Sequence, residues 1–342
     1  MKSILLSGGL VLATVLCAPI AVAGEEVNIY SYRQQFLLQP LLDGFTKKTA
    51  IKTNVVFVKK GLIARLAAEG ANSPADVLMT VDIGRLSNAV LQGVTQPVKS
   101  KFLEQQIPSR YRAADGQWFA LTLRARVVYA SRERVKQDAI TLEELADPKW
   151  RGKICIRSGQ HTYNIALIAS MIANLGEEKA KKWLEGLHKN LARKPSGNDR
   201  NQVKGVYAGA CDLAIGNTYY MGKMQTNEKR PVQKKWAASV KILFPNTEGR
   251  GVHVNVSGIA LAKYAPNKIN AVKFMEYLAS DEAQGIYAKS NFEYPVSAKV
   301  AWSKRVKSWG AFKADPIALD IIAKHRKRAS EMVDEVDFNS TP

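Results

Sequence analysis

Three tyrosines in this chain stand at turns where a strand gives way to a helix. Cys211-Asp-Leu-Ala-Ile-Gly-Asn-Thr-Tyr-Tyr220 reads as a short buried strand, Leu213 to Ile215, that stops at Gly216. It then turns over Asn217 or Thr218 into a helix, and either short polar side chain could cap that helix by accepting from its free amides. Tyr219 and Tyr220 fall in the first helical turn, where the positive end of the helix dipole favours negative charge. Tyr163 has a similar setting, after a strand Lys153 to Ile156 and at the start of an apolar helix Asn164 to Asn174. A tyrosine pair alone is ordinarily half-buried packing. Three at two such turns could instead converge as hard phenolate oxygens, a donor set suited to a trivalent cation. Soft ions such as copper(I) are disfavoured by oxygen ligands, and calcium or magnesium would draw carboxylates, which do not flank these tyrosines.

The elements that must position them read as alternating α and β structure. Val27–Tyr30, Asn54–Val58 and Asp76–Met79 have strand character, and Phe36–Thr46, Leu62–Glu69 and Ile83–Gln92 have helical spacing. Such alternation predicts a largely parallel sheet with ligands at the carboxyl ends of strands, where the loop Tyr32 to Gln35 lies. Thr141-Leu-Glu-Glu144 is a capping box before a helix expected to stop at Pro148. Two extended runs, Trp118–Tyr129 and Val252–Leu261, are placed to cross between two lobes. A chain of 342 residues is long enough for two lobes rather than one core.

The first 23 residues have the form of a secretory signal: Lys2, an apolar run from Ile4 to Ile20, and the cleavage site Ala21-Val-Ala23. Leu16 before Cys17 does not suit a lipoprotein. Removal of the signal leaves two cysteines, Cys155 and Cys211, and an even pair in an oxidising compartment reads as a disulfide, with two buried free thiols as the alternative. The formal net charge of +20 raises nucleic acid as a ligand. The basic residues are nevertheless spread along the chain among acidic ones, and no nucleic-acid motif accompanies them. No G-x-S-x-G, H-E-x-x-H or P-loop is present either, so the residues point away from an enzyme. His161 stands two residues from Tyr163 and is expected mainly at the surface.

Thr141-Leu-Glu-Glu-Leu-Ala-Asp-Pro-Lys-Trp-Arg-Gly-Lys153, the Cys211–Tyr220 turn, and Ser280-Asp-Glu-Ala-Gln284 through Asn291-Phe-Glu-Tyr-Pro-Val296 together resemble the bacterial periplasmic ferric-ion-binding proteins of iron ABC transporters. The resemblance covers the whole mature chain, and the tyrosine turn is its most specific part. It implies a two-lobed type II periplasmic-binding-protein fold of class α/β, each lobe a mixed sheet flanked by helices and the two joined by a two-strand hinge. The implied lobes are 24–123 plus 257–300, and 124–256 plus 301–342. It also implies a monomer that binds Fe(III) through Tyr163, Tyr219 and Tyr220 in the periplasm and serves an inner-membrane ABC permease.

One departure from the family's pattern shapes the expected site. Many relatives supply a His-Tyr pair from the first loop, where this chain has Gln34-Gln35. The resemblance therefore implies a site in which three phenolates are completed by a synergistic anion such as carbonate or bicarbonate, with Gln34 and Gln35 lining the cleft. Arg33 and Arg124 are expected to hold that anion, since a guanidinium fork matches a planar carboxylate-like group. The alternative for each arginine is an ion pair bridging the lobes. Rival readings are a binding protein for an organic cation such as a polyamine or thiamine, and a secreted enzyme or polyanion-binding basic protein.

Overall fold

The computed structural model describes residues 25–342; the expected signal segment lies outside them. Among the described residues, ten strands form one continuous hydrogen-bonded framework: β1 (Glu26–Ser31), β2 (Lys52–Phe57), β3 (Val77–Thr80), β4 (Thr95–Gln96), β5 (Phe119–Ser131), β6 (Ile154–Cys155), β7 (Leu213–Asn217), β8 (Val240–Leu243), β9 (Val254–Ala262) and β10 (Tyr294–Pro295). The main path runs β2-β1-β3-β9-β5-β7-β6. β1 is parallel to β2 and β3, and β6 is parallel to β7, as expected where helices connect successive strands.

β5 ties the two halves of this framework together. Residues 119–125 pair antiparallel with β9, whereas Arg126–Ala130 pair with β7 and Val128–Ser131 with β8. Every residue of β5 and of β9 is buried, including Arg124 and Arg126. The two extended runs seen in the sequence are therefore paired with each other at the centre of the molecule. Helices cover both halves, with Thr162–Leu175 burying nine of its side chains and packing against Arg326–Glu335.

Some local expectations differ from the structure. The Thr141 capping box forms, Thr141 N donating to Glu144 at 2.8 Å and Glu144 N to Thr141 Oγ1 at 3.1 Å. Yet what it starts is only a 3-10 turn, Glu143–Ala146, because the residue preceding Pro148 is driven to extended backbone. Gly216 does not end its strand, which continues to Asn217. A Cβ at Gly216 would lie 2.6 Å from the Tyr129 ring, so glycine here permits close packing rather than a stop.

Candidate metal centre

β6 and β7 lie side by side in parallel, so the turns at their carboxyl ends emerge together. Cys155 at the end of β6 and Cys211 just before β7 are joined in a disulfide, with Cα atoms 5.9 Å apart. Gly205 makes room for it, since a Cβ there would lie 3.0 Å from both sulfurs. The cross-link fixes the two strands that lead to the tyrosines.

Tyr163 enters the first turn of the helix Thr162–Leu175, and Tyr219 and Tyr220 begin the helix Tyr219–Gln225. The Tyr219 hydroxyl donates to the Tyr163 hydroxyl at 3.1 Å, and the Tyr219 and Tyr220 rings have centroids 4.4 Å apart. All three line one cleft of about 260 Å³. Neither expected residue caps the Tyr219 helix through its side chain. The Thr218 hydroxyl accepts from Ala125 N at 3.3 Å, and the Asn217 carboxamide oxygen accepts from Arg126 at 3.2 Å. Both are drawn back to β5, which fixes the turn from behind. The Tyr129 hydroxyl adds a 2.6 Å bond to Asn217 O.

The opposite wall of the cleft comes from the loop after β1, with Tyr32, Arg33, Gln34 and Leu37, together with Phe57, Lys59 and Val81. Arg33 and Gln34 are thus placed in its lining. Gln35 is not, because it opens a 3-10 turn and donates its side-chain amide to Gln39.

The arginines expected to hold an anion also make buried contacts within the protein. Arg33 Nη2 donates to Ser257 Oγ at 2.6 Å and to Glu293 at 2.9 Å. Arg124 donates to Ser257 Oγ and to Val256 O, both at 2.8 Å. Both guanidiniums still face the cleft, and the Nε atom of each is buried without a partner. Burial acts to raise the Glu293 pKa, but Arg33, Arg124 and the bond from Thr122 outweigh it and hold the carboxyl below its ordinary range. Glu293 was within a motif singled out in the sequence, yet nothing local marks it as the counter-charge of two arginines.

A second buried carboxylate, also missed, supports the tyrosine turns. Asp199 accepts from Arg126 at 2.8 Å, from Arg157 at 2.9 Å and from Asn217 N at 2.9 Å. It begins a helix, Asp199–Tyr207, which Asn198 and Asn201 start with a capping box. His161 is partly buried rather than exposed: its Nδ1 accepts from Tyr163 N at 3.2 Å. Burial, then the nearby Arg157, push its pKa down to about 3, so the ring is neutral and acts as a cap.

The electrostatics of the cleft favour a highly charged cation only together with anions. Burial raises the Tyr219 hydroxyl well above its ordinary pKa, helped by the neighbouring phenols, and raises Tyr220 to about 12. Free phenolates are thus disfavoured, and a metal ion would have to displace protons. Lys223 lies 4.9 Å from the Tyr219 ring centre, and burial followed by repulsion from Arg33 lowers its pKa to about 8. Around the tyrosines the lining carries Arg33, Lys59, Arg124 and Lys223 against the single carboxylate of Glu293. Among the described residues, no group of three His, Cys, Asp or Glu side chains could hold a metal.

Fold and cleft define an α/β ligand-binding protein of the type II periplasmic class. The model of the bacterial extracellular solute-binding protein family matches residues 72–323, and the chain belongs to that family. Iron uptake protein A1 of Synechocystis sp. is 46% identical over 326 residues, covering 94% of this chain and 90% of its own. A Bordetella ferric binding protein is similar with a TM-score of 0.88 at 50% identity, over 92% of this chain and 100% of its own. A Trichodesmium protein solved with iron and citrate ligands gives 0.88 at 43% identity, over 92% and 99%.

Proposed function

We propose that this protein is a periplasmic carrier that captures ferric iron in the cleft and delivers it to an inner-membrane ABC permease. Tyr163, Tyr219 and Tyr220 bind the metal as phenolates. A small anion completes the coordination sphere, held by Arg33 and Arg124 and attracted by Lys223 and Lys59. The observation that carries the reading is the convergence of three tyrosine side chains from two strand-to-helix turns in a cleft otherwise rich in cations. Three phenolates neutralise a trivalent ion, and the surplus of basic groups then favours an anion beside it. Carbonate or bicarbonate has a planar shape that matches the guanidinium forks. The same surplus disfavours a polyamine or thiamine. The names of the relatives, which refer to iron uptake and ferric binding, support the iron assignment.

Residues 1–23 direct export, and the mature protein acts as a monomer. Its lobes are 24–123 plus 257–300, and 124–256 plus 301–342, and they close about β5 and β9, whose pairing supplies the hinge. The test is titration of metal-free protein with iron in bicarbonate buffer, read by the visible phenolate-to-iron charge-transfer band. Tyr219→Phe and Tyr220→Phe each weaken binding strongly and shift or bleach the band. Gln35→Ala leaves both unchanged, since its amide is turned to Gln39. A band retained in both Phe variants overturns the assignment.

A further inference from the structure

A second cavity, of about 380 Å³, shares Tyr32 as a wall with the tyrosine cleft. Its charged lining is entirely basic: Lys60, Arg85 and Arg326. Each comes from a different element, the loop after β2, the helix Ile83–Leu91 and the helix Arg326–Glu335. The nearest acid behind them is Asp82, whose Oδ1 accepts from Arg85 N as a helix cap and whose Oδ2 lies 3.8 Å from Arg85 Nε. Among the described residues, neither Lys60 nor Arg326 has an ion-pair partner.

Arg326 is the least comfortable of the three. Its guanidinium donates to Thr162 Oγ1 at 3.0 Å and to Thr162 O at 3.3 Å, both neutral acceptors. It lies so close over Gly84 that a Cβ there would meet its Cζ at 2.2 Å. Burial lowers its pKa, an effect that attraction to Asp82 only partly offsets and repulsion from Arg85 reinforces. A cation taken from water without a directly paired carboxylate is costly, and an anion in the cavity would offset that cost. The backbone adds to the field, since Ala64, Arg85, Thr162 and Arg326 each stand in the first turn of a helix, where the dipole is positive.

We infer that this cavity is an anion site for a small polycarboxylate, separate from the tyrosines. Three cations from separate elements suit several carboxylates on one molecule better than one small ion. Planar guanidiniums match carboxylates in a way that the exposed Lys60 ammonium does not require. The anion enters either free or as the uncoordinated arms of a ferric chelate; the chemistry recognised is the same.

The test is calorimetric titration of metal-free protein with citrate and with tricarballylate, which lacks the hydroxyl that helps citrate chelate iron. Both bind at one site in the wild type. Arg326→Gln weakens binding about tenfold or more, as loss of a charged hydrogen-bonding partner does. Lys60→Gln, on an exposed loop, weakens it without risk to folding. Lys327→Gln is the control: it removes the same charge from a side chain that is 92% exposed. Tyr219→Phe has no effect on this titration, and the loss in Arg326→Gln, at a residue that does not line the tyrosine cleft, separates the site from the iron reading and its anion. Absence of binding, equal losses in the Arg326 and Lys327 variants, or inorganic phosphate binding more tightly than tricarballylate would each overturn the inference. Iron loading from ferric citrate slowed by Arg326→Gln, with loading from bicarbonate unchanged, identifies the chelate as the source. Equal loading rates identify the free acid.

Discussion

Replacing Glu293 by Gln removes one negative charge from a buried charged cluster beside the cleft. The carboxylate side chain is 3% exposed, Arg33 7% and Arg124 1%, so water cannot compensate either guanidinium. Breaking a buried ion pair by neutralising one partner costs about 3–5 kcal/mol. Gln retains an acceptor for Thr122 and for one arginine, which places the expected loss near the lower figure, about 3 kcal/mol. At roughly 1.5 °C per kcal/mol for a chain of this size, Tm falls by about 4–5 °C. The effect has a pH signature. Glu293 has a depressed pKa in the folded protein, so its contribution is complete above the ordinary carboxylate pKa of about 4.3 and is lost as pH falls through the lower folded value. The gap between wild type and variant is therefore full at neutral pH and shrinks in acid. Urea unfolding of both metal-free proteins, followed by circular dichroism from pH 7 down to about pH 3, measures it. A gap below about 1 kcal/mol at pH 7, or one that widens in acid, refutes the argument.

Acid should also release the metal, because each phenol that must ionise costs about tenfold in affinity per pH unit below its pKa, and an anion such as carbonate is protonated as well. The visible band measured across a pH titration checks this, and full intensity with iron still bound well below neutrality would exclude phenolate ligation. Reducing Cys155–Cys211 should lower unfolding stability by roughly 4 kcal/mol or less, since the bridge closes a loop with a sequence separation of 56. The check is chemical denaturation with and without reductant, and the expected change is a lower midpoint. Two free thiols in unreduced protein would contradict the bridge itself.

Periodic features were legible in the sequence because they are local. The helix Leu62–Glu69 has the bounds its spacing predicted, and the alternation of strands and helices pointed to α/β structure. The tyrosine turns were legible for a similar reason, as a residue type placed just after a short strand. The counter-charges were not. Arg33 and Glu293 are 260 positions apart, and Arg126 and Asp199 are 73 apart, so only the folded packing, with β10 and β7 both paired to β5, brings such groups together. Local pattern also failed where packing decides the backbone. Gly216 looked like a strand end but is a contact with Tyr129.

The two roles weighed for Arg33 and Arg124, ion pair or anion anchor, are compatible once the contacts are counted by atom. Glu293 and Ser257 take one nitrogen of Arg33, Nη2, and Ser257 and Val256 take the Nη atoms of Arg124. These bonds lock both side chains while both continue to line the cleft. A flexible arginine would lose rotamer freedom on gripping an anion, at a cost of up to about 2 kcal/mol. Here that freedom is already lost on folding, so the anion proposed there would meet donors that are fixed in place. Glu293 also moderates the field, since two bare guanidiniums beside Lys223 would repel a trivalent metal. One carboxylate thus serves the fold by neutralising buried charge, and on the proposed function it would serve binding by holding the arginines still.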